Sequence, residues 1–225
     1  MDIAEKFQKI GVVPVVVLED VKDAVPLAKA LVEGGLPCAE VTFRTEAAEE
    51  SIRLMAEQFP DMLVGAGTVL TKEQVDAAAA DAKFIVSPGF DPEIVDYCLK
   101  KEIPVYPGWV SPSEVAQAVK RGLKVVKFFP AEPAGGLPMI KAMAAPYVGL
   151  KFMPTGGINA KNLEEYLSCF YPKIIGVNIH IHIQKNAPRG CDKSRELSDS
   201  FCILESFQLF HQNQHVTIKR YCGLY

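Results

Sequence analysis

The sequence lacks any apolar run close to the roughly 20 residues that a membrane-spanning helix needs. It has little net charge, -3 at pH 7 with a pI near 5.9, which is not typical of a nucleic-acid-binding surface. The six cysteines form no C-x-x-C pair, and the residues after Met1 do not resemble a signal peptide. We therefore expect a soluble cytoplasmic protein with reduced thiols and with neither a membrane nor a nucleic-acid partner.

Strand-like and helix-like segments alternate from Gly11 to about Gly176. The strand-like runs cover residues 12–18, 38–43, 63–67, 84–87, 103–106, 124–129, 150–153 and 173–177. The helical patterns cover residues 23–33, 45–58, 71–80, 91–100, 111–121 and 159–167. Single helices between strands indicate parallel βαβ units, and eight strands predict a compact (β/α)8 TIM barrel in one domain, residues 1–177. A doubly wound open sheet is the alternative fold.

Lys127 lies in a segment that is expected to be apolar, because strands buried on both faces read as near-continuous hydrophobic runs. Its neighbours are Val125, Val126, Phe128 and Phe129. Burial disfavours the charged ammonium, and a neutral lysine amine attacks carbonyl carbons to form Schiff bases. The alternative is a lysine at the end of the strand whose ammonium reaches solvent.

The second predicted strand carries a further polar set. Glu40, Thr42 and Arg44 alternate with apolar residues. Because alternate residues of a barrel strand face the interior, we expect the apolar set to face the helices and the charged set to face inward. The alternatives are an edge strand whose polar face lies in water and a structural ion network inside the barrel.

An inward lysine, glutamate and arginine in one dry pocket suggest carbonyl chemistry. Arg44 offers a planar fork for a substrate carboxylate. Lys127 would attack a ketone, and Glu40 would move protons during dehydration of the carbinolamine and cleavage or formation of a C–C bond. Gly156 and Gly157 follow the seventh strand and expose backbone N–H groups to an anion. A phosphorylated 2-keto acid would fit both anion sites.

Six segments together resemble the 2-keto-3-deoxy-6-phosphogluconate / 4-hydroxy-2-oxoglutarate aldolase family, the class I pyruvate aldolases. They run in order over about residues 10–176, and the glutamate–arginine and lysine motifs are highly specific in combination. The matching segments are VVPVV at 12–16, AEVTFRT at 39–45, VGAGTVL at 64–70, SPG at 87–89, VKFFPAE at 126–132 and PTGGI at 154–158.

The resemblance implies the catalytic and carboxylate-binding roles. Lys127 would be the Schiff-base lysine and Glu40 the general acid and base. Arg44 and Thr68 would hold the pyruvate carboxylate. The implied reaction is the cleavage of 2-keto-3-deoxy-6-phosphogluconate to pyruvate and glyceraldehyde 3-phosphate in the Entner–Doudoroff pathway, or of 4-hydroxy-2-oxoglutarate to pyruvate and glyoxylate.

The resemblance also implies the remainder of the pocket and the assembly. Pro88 and Phe129 would line the pocket, and Thr155, Gly156 and Gly157 would begin a phosphate site. A homotrimer that needs no metal and no other cofactor is expected. A phosphorylated 2-keto acid is the expected small-molecule partner.

The resemblance ends abruptly after Val177. The family pattern places there a Gly-Gly-Ser-Trp turn that completes the phosphate site, whereas this chain continues as NIHI over 178–181. All four histidines follow that point. Residues 178–225 are therefore interpreted as a divergent tail that replaces the last βα loop and the terminal helices, through a shifted reading frame or a recombined end. A coding sequence that keeps the family's ending in another frame would support the frame shift, and a homologous tail in close relatives would contradict it.

The tail leaves two structural expectations and two functional alternatives. Leu197, Phe201 and Leu204 follow helical spacing, so a helix is expected to cover the eighth strand. His180 and His182 alternate as a metal pair would, but no third ligand stands at suitable spacing, so no metal site is predicted. A catalytically impaired barrel that binds ligand, and an unrelated phosphate-sugar isomerase barrel with an idle lysine, are the alternatives to an aldolase.

Overall fold

The computed structural model describes the backbone of residues 2–169, 177–181, 183–184, 200–203, 207–211, 214–218 and 222–224, and the side chains of residues 2–167. Within residues 2–181, strands and helices alternate along the chain. The helices are α1 (Ile3–Ile10), α2 (Ala24–Glu33), α3 (Ala48–Gln58), α4 (Lys72–Ala78), α5 (Pro92–Lys100), α6 (Pro112–Lys120), α7 (Gly136–Ala144) and α8 (Leu163–Cys169).

The alternating strands are parallel to their partners. They are β1 (Val12–Val16), β2 (Cys38–Thr42), β3 (Leu63–Gly67), β4 (Ile85–Val86), β5 (Val105–Tyr106), β6 (Gly108–Trp109), β7 (Val125–Phe128), β8 (Lys151–Pro154) and β9 (Val177–Ile181). Five further strands follow, β10 (Ile183–Gln184), β11 (Ser200–Ile203), β12 (Phe207–His211), β13 (Gln214–Ile218) and β14 (Cys222–Leu224), and they pair antiparallel.

The strand order is that of a sheet that curls round to meet itself. One ladder has the order β5-β4-β3-β2-β1-β9, so the first strand pairs with the last of the parallel strands. A second ladder has the order β6-β7-β8. From β5 to β1 each strand pairs with the one before it in the chain, and β1 also pairs with β9, the last parallel strand, which is the neighbour that β1 has in a (β/α)8 barrel. The described ladders contain no pairing between β8 and β9.

Pro107 joins the two ladders. Strands β5 and β6 are the two halves of one barrel strand, and Pro107 interrupts it because proline has no N–H to donate. The first half pairs with β4, and the second half pairs with β7. The carbonyl of Pro107 still accepts a hydrogen bond from the Lys127 N–H at 2.9 Å. The predicted fifth strand, residues 103–106, therefore captured only half of the real one.

Four further elements differ from the sequence predictions. Helices α1 and α7 were not predicted, because α1 precedes the first strand and α7 begins in a Gly-rich segment. The eighth strand, β9, begins at Val177 and continues along the V-N-I-H-I alternation, whereas residues 173–176 of the predicted strand lie outside the described residues. The expected tail helix is wrong at Ser200–Ile203, which is a strand paired with β14.

Local signals fix where the helices begin. Ser111 forms a capping box with Glu114 ahead of α6, and the Asp91 side chain accepts from the first N–H groups of α5. Pro92 and Pro112 occupy first helical positions, where their missing N–H costs nothing. In the part of the chain that is described, no helix has the length and apolar character needed to cross a membrane.

The buried apolar residues form two layers. The larger one lies between the strands and the helices and contains the outward residues of the strands, such as Val41, Val126 and Phe128. The smaller one fills the lower interior of the barrel with one or two residues from each of seven strand positions. Phe7 of α1 enters this interior layer and makes edge contacts with Phe84 at 4.8 Å and with Tyr106 at 5.4 Å. Helix α1 therefore closes the bottom of the barrel.

We predict that Phe7→Ala lowers the free energy of unfolding by about 3–5 kcal/mol, because it removes a fully buried ring and leaves a cavity among aromatic partners. Urea denaturation followed by circular dichroism measures the change. Lys9→Ala, on the exposed face of the same helix, is the control and should change stability by less than about 0.5 kcal/mol. Equal effects of the two substitutions would contradict the role given to Phe7.

Candidate active site

Glu40 and Lys127 meet inside the barrel. Glu40 comes from the second strand, β2, and Lys127 from the sixth, β7, and both side chains share the parity of inward residues. Glu40 is 0% exposed and Lys127 is 5% exposed. Lys127 Nζ donates to Glu40 Oε1 at 3.1 Å across 87 residues of sequence. The inward orientation predicted from strand alternation is therefore observed for both residues.

This ion pair is costly to bury. Removing an ammonium and a carboxylate from water carries a desolvation penalty that the mutual attraction often fails to offset. The Lys127 ammonium also lies 5.7 Å from the centre of the Phe129 ring, close enough for a cation–π attraction. A buried ion pair near the C-terminal ends of barrel strands is an arrangement expected of a reactive site, because burying the charges is costly.

The layer below the pair is dry and unreactive. Cys38 occupies the inward position two residues before Glu40 and is fully buried. Burial, with a smaller contribution from the Glu40 charge, raises the pKa of the Cys38 thiol far above its usual value. Because the thiolate is the nucleophilic form, Cys38 is a poor nucleophile at neutral pH.

Two glycines of β3 make room for their neighbours. A Cβ at Gly65 would overlap the Phe84 ring, and a Cβ at Gly67 would overlap Glu40 Oε1. The Gly65-Ala66-Gly67 segment therefore serves close packing inside the barrel. Gly67 in particular leaves the space in which the Glu40 carboxylate reaches Lys127.

Arg44 follows the end of β2 and is exposed, unlike the buried Glu40 and Lys127 with which it was expected to share a dry pocket. Strand β2 ends at Thr42, whose hydroxyl donates to the Val16 carbonyl at 3.1 Å, and the chain then turns. Thr45 Oγ1 anchors the turn on the Leu18 carbonyl at 2.6 Å. The alternation that orients Glu40 stops with the strand, and the Arg44 side chain is exposed at the rim.

Three other predicted site residues stand at strand ends. Thr68 follows β3 and has a φ of +55°, a left-handed conformation that is uncommon outside glycine and is found at functional sites. Pro88 follows β4 and is half-buried, and its carbonyl lies where a Cβ at Gly108 would be. Phe129 follows β7 and is also half-buried. All three strands end at the rim where Glu40 and Lys127 meet.

The loop after β8 carries the last predicted site residues. Thr155 is buried, and its hydroxyl has no hydrogen-bond partner among the described residues. Gly156 and Gly157 adopt φ values of +99° and +83°, which glycine reaches without strain. The carbonyls of Thr155 and Gly156 accept from the N–H groups of Ala131 and Glu132 at 2.7 and 3.0 Å. The loop after β7 therefore supports the loop after β8.

The same loop presents unused backbone donors. Within the described part of the chain, the N–H groups of Gly156, Gly157 and Ile158 find no acceptor. Side-chain amides of Asn159 and Asn162 both donate to the Gly157 carbonyl at 3.2 Å and hold the turn. Successive N–H groups around left-handed residues form a concave anion-binding nest.

A contact behind this loop has no counterpart in the sequence reasoning. The Tyr166 hydroxyl of α8 donates to Glu132 Oε1, a residue 34 positions away. No local pattern links two such positions, so only the fold reveals the contact. The side chains of His180 and His182 lie outside the described residues. Among the described side chains, no group of three His, Cys, Asp or Glu residues could hold a metal ion.

We predict that Gly67→Ala destabilises the protein by about 1–3 kcal/mol, because the added methyl group overlaps the Glu40 carboxylate in a packed interior. Urea denaturation measures the loss. Gly89→Ala is the matched control, since a Cβ there meets nothing within 4 Å, and its effect should stay below about 0.5 kcal/mol. A Gly67→Ala protein as stable as the control would show that the space is not required.

The sequence matches known aldolases over most of its length. The model of the KDPG and KHG aldolase family matches residues 3–182. The 2-dehydro-3-deoxy-phosphogluconate aldolase of Treponema pallidum is 50% identical over 174 residues, which are 77% of this chain and 82% of that protein. The KHG/KDPG aldolase of Escherichia coli is 44% identical over 158 residues, which are 70% of this chain and 74% of that protein.

Solved structures agree with the sequence matches. The KDPG aldolase of Legionella pneumophila, with pyruvate captured at low pH as a covalent carbinolamine intermediate, is 44% identical with a TM-score of 0.75, covering 79% of this chain and 86% of that chain. The 2-keto-3-deoxy-6-phospho-gluconate aldolase of Zymomonas mobilis is 41% identical with a TM-score of 0.74, covering 79% and 85%. The predicted (β/α)8 class and the aldolase class of enzyme are confirmed, and the chain belongs to the KDPG and KHG aldolase family.

Proposed function

We propose that the protein cleaves 2-keto-3-deoxy-6-phosphogluconate, or 4-hydroxy-2-oxoglutarate, through a Schiff base on Lys127. The observation that carries the proposal is the 3.1 Å contact between Lys127 Nζ and Glu40 Oε1 in the dry interior of the barrel. A lysine that hands its proton to an adjacent carboxylate becomes the neutral amine that carbonyl addition requires.

Glu40 moves the protons of each step. The Lys127 amine adds to the C2 ketone, and Glu40 protonates the departing hydroxyl so that the carbinolamine loses water to an iminium. Glu40 then takes the proton of the C4 hydroxyl while the C3–C4 bond breaks. The electron pair of that bond moves into the enamine. The aldehyde leaves, C3 is protonated, and water releases pyruvate and the free lysine. No redox partner is needed, because the iminium accepts the electron pair of the C3–C4 bond and the enamine uses the same pair to form the new C3–H bond.

The pyruvate portion is held by residues at the strand ends. We assign Arg44 and Thr68 to its carboxylate, because a guanidinium fork and a hydroxyl are suitable donors. The exposed Arg44 side chain remains available to a ligand at the rim, and the strained Thr68 backbone stands beside it in the barrel order. Pro88 and Phe129 form apolar walls of the pocket.

The phosphate portion is assigned to the loop of Thr155, Gly156 and Gly157. Its support is the run of backbone N–H groups without acceptors and the unpaired Thr155 hydroxyl, both found within the described residues. These donors suit the oxygens of a phosphate monoester. The sequence after Val177 lacks the Gly-Gly-Ser-Trp turn, so this half of the site would work alone.

We also propose where the barrel ends in the chain, how many copies assemble and where the protein lies in the cell. We infer that residues 1–177 correspond to the aldolase barrel and that residues 178–225 replace the family's ending, although β9 and the family match both extend past Val177. We also infer a cytoplasmic homotrimer, as the family resemblance implies. Sedimentation equilibrium should give three times the 24.6 kDa of the chain, and a monomer would contradict the assembly.

We predict that sodium borohydride added with pyruvate attaches a three-carbon adduct to Lys127, because hydride reduces the iminium to a stable amine. Peptide mass mapping locates the adduct. Lys127→Arg should remove both the adduct and the turnover, since a guanidinium stays protonated and cannot add to a ketone. The loss of rate should exceed about 1,000-fold, as for other residues that make the covalent bond.

Lys124→Arg is the matched control for this experiment. Lys124 is exposed at the N-terminal side of the same strand, so the substitution should leave trapping and turnover unchanged. An unmodified Lys127 in the native protein would refute the Schiff base. An adduct without any release of aldehyde from either substrate would instead support the impaired, ligand-binding barrel that the altered tail suggests.

A further inference from the structure

Glu132 lies between two loops and meets each with a different part of its side chain. Its Cβ and Cγ lie where a side chain at Gly157 would be, with Cβ 2.5 Å from the position of an added Cβ. Its Oε1 lies 2.9 Å from the position of a Cβ added at Gly136. The aliphatic stem therefore supports the Gly157 backbone, whereas the carboxylate is held at the start of α7.

Tyr166 fixes the carboxylate in that place. The tyrosine is 1% exposed, and its hydroxyl donates to Glu132 Oε1. Burial, together with the hydrogen bond to Glu132, raises the pKa of the Tyr166 phenol well above its usual value, so the hydroxyl keeps its proton at neutral pH. The Tyr166 oxygen also lies 3.2 Å from the position of a Cβ at Gly136, so this glycine makes room for the contact.

A released carboxylate would find other donors close by. The stem of Glu132 touches Gly157, whose N–H and those of the adjoining Gly156 and Ile158 have no acceptor among the described residues. A carboxylate is a strong acceptor for backbone N–H groups, and it carries the same sign of charge as a phosphate. An unrestrained Glu132 would compete with a phosphate for these donors and repel it.

We propose that Tyr166 is a positioning residue that holds the Glu132 carboxylate at Gly136 and so keeps the donors of Gly156 and Gly157 open for the substrate phosphate. The inference rests on the proposed function, since it concerns the phosphate half of that site. It adds two residues that the Schiff-base chemistry does not use. It also explains why a glutamate, whose charge opposes phosphate binding, can stand next to these donors.

The test is the affinity for glycerol 3-phosphate, an unreactive phosphate monoester, measured by titration with 31P NMR. Tyr166→Phe should weaken binding about fivefold, because it removes the single hydrogen bond that positions the Glu132 carboxylate. Glu132→Gln should bind within about twofold of the native protein, because its amide oxygen still accepts from Tyr166. The double variant should recover most of the affinity, because a neutral amide competes less for the N–H groups.

The recovery separates positioning from a general loosening of the fold. A double variant as weak as Tyr166→Phe, or a Tyr166→Phe protein with native affinity, would overturn the proposal. Tyr97→Phe is the matched control, since it also removes a tyrosine hydroxyl that donates to a carboxylate, at 3.0 Å from Asp76 on the neighbouring helix. An equal loss in that control, or no binding of glycerol 3-phosphate by the native protein, would likewise reject the inference.

Pyruvate trapping with borohydride keeps this test distinct from the test of the proposed function. Pyruvate has no phosphate, so trapping at Lys127 should proceed at the native rate in Tyr166→Phe, Glu132→Gln and the double variant. Native trapping with an unchanged phosphate affinity rejects the positioning role alone. Absence of trapping in the native protein rejects the Schiff base itself. Slower trapping in Tyr166→Phe rejects the positioning role, because the substitution then disturbs more than the phosphate loop.

Discussion

The buried contact between Glu40 and Lys127 governs how the interior of this barrel is built. An ammonium and a carboxylate that leave water lose hydration energy that their attraction does not dependably return. The surroundings must therefore be arranged around them. Gly67 has no side chain, and this leaves the space in which the Glu40 carboxylate reaches Lys127. Buried residues such as Cys38 lie below the pair. Apolar side chains in this space would often stabilise a protein as well as the buried ion pair does.

The barrel separates an aromatic floor from the polar pair of Glu40 and Lys127 along its axis. Phe7, Phe84 and Tyr106 close the lower interior with aromatic edges, and α1 covers the bottom. The polar pair lies above that floor, and the loops that follow the strands surround it. This division lets the loops carry unpaired donors and left-handed residues, whose cost is offset by the packed layer beneath. The contact between Glu132 and Tyr166 extends the same support to the loop of Gly156.

Much of this arrangement could be predicted from sequence. The alternation of strands and helices gave the fold class, and the parity of Glu40 and Lys127 in their strands gave the inward pair. For Arg44 parity gives no orientation, because it holds only while the strand lasts and β2 ends at Thr42. The predicted fifth strand was too short because the strand continues after the interruption at Pro107. The expected tail helix fails at Phe201, which lies in the strand Ser200–Ile203, where pairing with β14 overrides helical spacing.

Local sequence decides the alternating pattern, the helix caps and the identity of the reactive groups, because these depend on periods of two or 3.6 residues and on side-chain chemistry. Tertiary structure alone decides which distant residues meet. Lys127 finds Glu40 across 87 residues, and Tyr166 finds Glu132 across 34. Neither distance corresponds to any local period. Both contacts follow from the parallel pairing of the strands and the packing of helices around them, where chain order no longer predicts neighbours.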